Sequence, residues 1–261
     1  MKKLLAIFNL LSFFGVLVLN GLSNGQVVEG KSIGSISESY PTLFTPAGIT
    51  FSVWGIIYLG LLGFVIYQGR DLVSKRPLNM EFRQDIGPWF ILSNLFNMGW
   101  LLAWLNESLG LSLVLIFGLL ASLLMIYLRL DINLRPVRTP VKWFVFVPFS
   151  IYLGWVCVAS IANTSAYLVS IKWSGLGLFP EIWTVLMIAI AGLLALWVGK
   201  KRKDFAFRAV VLWALAGIVI KIRELDYEGG IFLLIMLGLA ITAIVISILL
   251  DMIGRKNSRT A

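Results

Sequence analysis

The stretch SNLFNMGWLLAW, residues 93–104, carries two carboxamides and two indoles at spacings that matter. At 100° per residue, Asn94, Asn97, Trp100 and Trp104 fall within about 120° of one helix face. The same arithmetic puts Phe51, Trp54 and Tyr58 of FSVWGIIY within about 60°. It puts Tyr152, Trp155, Ala159 and Asn163 of YLGWVCVASIAN within about 80°. Such side chains stack on flat rings and exchange hydrogen bonds; they are poor carriers of protons and poor metal ligands. The chain has no histidine and one cysteine, Cys157. Zinc sites, histidine-ligated haem and imidazole acid–base chemistry are therefore excluded, and no nucleophile–base pair is visible. The stripes suit binding of a flat apolar molecule with polar edges. Taken singly, Asn94 and Asn163 read more simply as interhelical glue, worth about 0.6–2 kcal/mol per hydrogen bond. Ala159, Ala162 and Ala166 leave room beside the indoles or allow close helix packing.

The elements that must position these stripes are membrane helices. Of 261 residues, 59% are hydrophobic and 13% charged, with a mean hydropathy of +0.91. A bilayer core of about 30 Å needs roughly 20 apolar residues per helix. Eight segments qualify, centred on residues 4–22, 46–68, 87–105, 110–128, 143–168, 181–199, 205–222 and 230–250. The long uninterrupted runs exclude a β-barrel, whose strands alternate and stay short. The expectation is an all-α polytopic membrane protein with eight transmembrane helices. An unsatisfied amide in hydrocarbon costs several kcal/mol, about 2–7 on transfer scales, so the three stripes must face one another.

The net charge of +9 orients the protein and does not point to nucleic acid. With the N-terminus inside, only Lys31, Lys172, Lys221 and Arg223 of the 22 Lys and Arg fall outside, leaving 18 on the inner side. Both termini are expected in the cytoplasm, the membrane being a bacterial inner one, with basic loops against anionic headgroups. The start MKKLLAIFNLLSFFGVLVLNGLSNG has the flavour of a signal peptide. It is long enough to span and has no A-x-A-like cleavage site, which favours a retained helix. Residues 23–45 form the longest outer loop. Trp89, Trp143, Trp173, Trp183 and Trp197 lie near span ends and read as interfacial anchors. Polar mid-membrane residues concentrate in the first five helices. Residues 1–170 thus read as the working unit, and 171–261 as an appended three-helix bundle that scaffolds without lining the pocket.

Three motifs, in order, carry a family resemblance. PAGITFSVWGIIYLGL resembles the proline–glycine, FxxWxxxY signature of the TspO/MBR family, the tryptophan-rich sensory proteins related to the translocator protein. NLFNMGW resembles its NxxW pattern through Asn97 and Trp100. GWVCVASIAN resembles its WxxFxxxxN pattern through Trp155 and Asn163, with Val158 in place of the usual Phe. The resemblance covers residues 1–170. It implies a five-helix bundle, often a homodimer, with a pocket beneath the first loop that binds tetrapyrroles such as protoporphyrin IX. By position it implies ligand contact for Pro46, Phe51, Trp54, Tyr58, Asn94, Asn97, Trp100, Tyr152, Trp155, Ala159 and Asn163. The fifth helix ends TSAYLVSIK, without the aromatic–basic ending that the family ties to sterols.

The leading expectation is a membrane receptor or carrier for a porphyrin-like ligand, with no cofactor or metal of its own. A transporter of a small hydrophobic metabolite is the alternative, although coupled transport usually leaves acids in mid-span and here Glu107 and Asp251 sit at edges. Tryptophan-dependent porphyrin breakdown enters only through the resemblance. A structural or regulatory membrane protein without a ligand is the plainest reading of all. Proline 46 is expected to open the second helix, and Gly48 and Gly55 to let helices approach.

Overall fold

The computed structural model describes residues 2–24, 32–74 and 80–260. Among the described residues all regular structure is helical: α1 (Lys2–Asn24), α2 (Ile33–Ser39), α3 (Val53–Val73), α4 (Phe82–Ile86), α5 (Trp89–Leu105), α6 (Leu109–Arg129), α7 (Thr139–Val141), α8 (Val147–Ser170), α9 (Pro180–Arg202), α10 (Phe205–Glu224) and α11 (Gly230–Thr260). Seven helical stretches are long and apolar enough to cross a membrane, and α5, with 17 residues, is a shorter apolar helix. At 1.5 Å per residue α5 spans about 25 Å. The protein is an all-α polytopic membrane protein, its apolar helices falling on the eight expected segments. Lys31, Lys75 and Arg76 of the charge asymmetry lie outside the described residues.

The helices close a ring. α1 packs on α3 and α5, α5 on α6, α6 on α8, and α8 on α3. α10 docks on the outside of α8, and α9 and α11 pack on α10 and on each other. Pro148 shapes the entry to α8. It has no N–H and its ring would collide with the carbonyl four residues back, so the turn before it widens to a π-helix at Lys142–Phe146. The same proline fits against Gly60 of α3, where an added Cβ would sit 3.2 Å from the Pro148 Cβ.

Two expectations need correction. Residues 33–39, read as outer loop, form α2. Ser32 caps it by accepting from Ser35 N at 3.1 Å while Ser35 Oγ accepts from Ser32 N at 2.8 Å, and Ile33 and Ile36 bury on one side. Pro46 does not open a helix, nor do Gly48 and Gly55 bring helices together. A 3-10 turn at Gly48–Ser52 precedes α3, and a Cβ on Gly55 would meet nothing within 4 Å. The start of α3 is held from α10 instead: Ala47 N donates to Gly217 O (3.0 Å) and Trp213 Nε1 to Thr50 O (3.0 Å).

A close approach to backbone falls at the α8–α10 seam. A Cβ on Gly154 would lie 3.0 Å from the Phe207 carbonyl oxygen, a backbone atom that cannot swing aside. Gly154→Ala should therefore lose about 1–3 kcal/mol of stability, the usual cost of overpacking. Gly55→Ala, facing open space in the first turn of α3, should be neutral or gain up to about 1 kcal/mol. Thermal unfolding of both variants in one detergent checks the contrast, and equal midpoints would contradict the seam.

A closed aromatic box between α3, α5 and α8

The three stripes do face one another, and Trp54 is where they meet. Its ring stacks on Tyr58 (5.6 Å between centroids, 21° between planes) and on Trp100 (5.5 Å, 28°). It meets Tyr152 edge-on at 6.0 Å and Trp155 at 6.2 Å. Phe51, in the turn before α3, meets Trp155 edge-on at 5.9 Å, and Trp100 stacks on Trp104 at 6.2 Å. Each such pair adds about 0.5–1.5 kcal/mol beyond area burial. The rings fill their own enclosure, leaving about 30 Å³ of free space. Pro46, Phe51, Trp54, Trp100, Trp155, Ala159 and Asn163 border that space. So do Ile33 and Ser37 of α2, Trp104, Val158 and Ala162.

A belt of amides holds the rings. Trp100 Nε1 donates to Asn163 Oδ1 (3.1 Å), and Asn163 Nδ2 donates to Ser112 Oγ on α6 (3.0 Å). Asn20 of α1 donates to Asn97 Oδ1 (3.3 Å), whose Nδ2 donates to Tyr152 Oη (3.1 Å). Asn97 and Tyr152 thus stand behind the box, fixing rings without bordering its free space. Asn94 turns to α1, its Nδ2 donating to Ser12 Oγ at 2.9 Å. Asn9 donates to Gln68 Oε1 on α3 at 3.0 Å. Among the described residues the buried Nε1 groups of Trp54 and Trp155 have no acceptor, and the buried Tyr58 Oη beside them has no partner either. A buried donor left unpaired costs about 1–3 kcal/mol, so these two N–H groups offer hydrogen bonds to whatever enters.

Two openings flank α2. On one side a shallow groove of about 560 Å³ runs between α2 and the start of α3, with Phe51 and Trp54 at its base. On the other a cavity of about 640 Å³ lies between residues 37–45 and the outer ends of α8, α9 and α10. Trp173 and Trp183, expected as interfacial anchors, form an edge-on pair at 4.9 Å in its wall, with Trp183 Nε1 donating to Gly175 O (2.8 Å). Tyr227 completes that wall by donating to Glu181, a bond that pushes its phenol above its ordinary range. Trp104 Nε1 ties the start of α2 to α5 through Ile33 O (3.2 Å). Residues of α2 thus border the box and both openings.

The sequence profile of the TSPO-like protein family matches residues 6–251, from α1 into α11. The chain belongs to that family. No curated protein and no solved structure matches it. Membership makes this TSPO-like protein an integral, multi-pass membrane protein of the sensory and binding type. The matched range includes α9 and α10 and extends into α11. Sequence reasoning missed Ile33 and Ser37, because α2 was read as loop. It also missed Asn9, Asn20 and Ser112, whose polar groups in apolar runs are the signal that finds them.

Asn163 joins an indole on α5 to a hydroxyl on α6, so its loss strands the buried Trp100 N–H and takes a donor from Ser112 Oγ. In this TSPO-like protein Asn163→Leu should lower stability by about 1–3 kcal/mol. Asn106→Ala, at an exposed helix end, should stay within about 0.5 kcal/mol. Thermal unfolding followed by tryptophan emission measures both; an Asn163→Leu midpoint equal to that of Asn106→Ala would remove the belt from the account.

Proposed function

We propose that this TSPO-like protein binds a flat, apolar, ring-shaped ligand of the tetrapyrrole class, such as protoporphyrin IX, in the box between α3, α5 and α8. The observation that carries the reading is the surrounding of Trp54. Four rings pack on its indole, and two buried indole N–H groups there, Trp54 and Trp155, have no acceptor among the described residues. A planar ligand replaces ring-on-ring stacking at little cost, and its polar edge supplies the acceptors. Phe51, Trp54, Trp100 and Trp155 are the stacking residues. Pro46, Ala159 and Asn163 shape the wall, while Tyr58, Asn94, Asn97 and Tyr152 hold the stack and act through it.

Free space of about 30 Å³ is far below the roughly 300–1,000 Å³ of ligand pockets, so binding requires the box to open. The element that moves is α2, seven residues long and bordered by an opening on each side. In this reading residues 1–170 form the binding unit, a sensor with a resting, self-stacked state. Residues 171–261 buttress it through α10. Transport through the chain has less support, since among the described residues the charged groups buried in the bundle lie at helix ends.

Protoporphyrin IX added to the protein in nanodiscs should quench tryptophan emission saturably. Trp54→Phe and Trp155→Phe should each weaken binding by about 0.5–1.5 kcal/mol. Trp197→Phe, 58% exposed on the far side of α9, should leave it unchanged. Equal losses from all three variants would mean partitioning into lipid and would end the reading.

A further inference from the structure

The box leaves a second feature unused, at the basic end of the molecule. There a groove of about 650 Å³ opens between α3, α8, α10 and the end of α11. Its upper end is shut by the Trp213–Thr50 hydrogen bond. Below that its walls are Val53 and Ile56 of α3, Ile151 of α8, and Val210 and Trp213 of α10. Ile56 is 58% exposed and Trp213 43%, so the groove faces the bilayer side of the bundle. Its mouth is at Lys142, where the π-helical turn begins, and at Lys203, whose left-handed backbone (φ 49°) ends α9.

The height follows from helix register. Gly60 sits against Pro148 and Gly63 against Phe144, so α3 and α8 run antiparallel with those levels matched. Val53 is then about 10 Å above the Gly60 level and Lys142 about 9 Å below it, at 1.5 Å per residue. The groove is about 20 Å tall, against roughly 15 Å for half of a hydrocarbon core. A lipid tail fills that height and a headgroup reaches the mouth.

Charge chooses the headgroup. The ionisable residues of the groove are Lys142, Lys203, Arg208, Asp204 and Asp251. Both acids are already engaged. Asp204, 2% exposed, accepts from Tyr127 Oη (2.8 Å), Ser150 Oγ (2.6 Å) and Phe207 N (3.2 Å). Asp251 pairs with Arg208 at 2.7 Å. Lys142 has no acidic partner among the described residues, and the lining carries one more positive charge than negative.

We propose that this groove is a site for one anionic phospholipid of the surrounding bilayer. Its phosphate lies at Lys142 and one acyl chain runs up between α3, α8 and α10. The lipid stands where the last three helices meet the five-helix ring, and it fills a gap that protein side chains leave open. A zwitterionic lipid brings its own cation to Lys142 and is the poorer fit.

The test is native mass spectrometry of the full-length protein, delipidated and offered equal amounts of 1-palmitoyl-2-oleoyl phosphatidylglycerol and the matching phosphatidylcholine. One phosphatidylglycerol should be retained in preference by about fivefold or more. Lys142→Gln, at an exposed position, should bring the preference to within about twofold. Lys200→Gln, an exposed lysine outside the groove, should not change it. Ile56→Trp, which fills the groove from its bilayer side, should release both lipids while the protein keeps its thermal midpoint. If Lys200→Gln costs as much as Lys142→Gln, the preference is general surface charge and the site is overturned. Retention unaffected by Lys142→Gln or by Ile56→Trp overturns it as well, as does a dimer that sheds both lipids, which would seat a second copy of the chain there.

Discussion

A bilayer interior offers no water, so a polar side chain carried into it is costly unless it finds a partner in the protein. The arrangement of this molecule depends on that constraint. Asn9 with Gln68, and Asn94 with Ser12, fasten α1 to α3 and α5. Asn20, Asn97 and Tyr152 run from α1 through α5 to α8, and Trp100, Asn163 and Ser112 from α5 through α8 to α6. Each bond is worth little alone. Together they fix the rotation of five helices, which apolar packing against equally apolar lipid would leave loosely determined. With the helices so turned, the indoles of α3, α5 and α8 have nowhere to point but at one another.

The membrane helices were legible in the sequence because length and hydropathy are nearly sufficient in lipid. The facing stripes were legible too, since amides at helical spacing in hydrocarbon must converge. What escaped was local or long-range. α2 rests on a Ser32–Ser35 capping box and two buried isoleucines, a signal too short to stand out from a Gly- and Ser-rich loop. Gly55 looked like a packing glycine and faces open space, while Gly154, in the same kind of sequence setting, lies 3.0 Å from a backbone oxygen as judged by an added Cβ. The neighbour decides which glycine matters, and the neighbour is hundreds of atoms away along the chain.

The seam between the ring and the last three helices shows the same limit. KKRKD, residues 200–204, is in sequence a tight basic turn between two membrane helices. In the fold its aspartate, Asp204, is buried, caps α10 and gathers hydroxyls from α6 and α8, while Arg202 lies over the Tyr127 ring at 4.8 Å and reaches Ile132 O. Arg208, also buried, reaches Ser247 and Asp251 on α11. Polar contacts at one end and backbone contacts at Ala47, Thr50 and Gly217 at the other bind α10 along the height of the ring. The three helices hold the start of α3 from behind, and through it Phe51 and Trp54.

The central claim is that the self-stacked box is the resting form of a binding site, with Trp54 and Trp155 keeping their N–H groups for a ligand. A structure of the full-length protein with protoporphyrin IX bound tests it most directly. The account predicts the macrocycle between Trp54 and Trp155, α2 displaced, and at least one of the two Nε1 atoms within about 2.7–3.2 Å of a ligand acceptor. Ligand density elsewhere, with the Trp54 stack on Tyr58 and Trp100 unchanged, would contradict it.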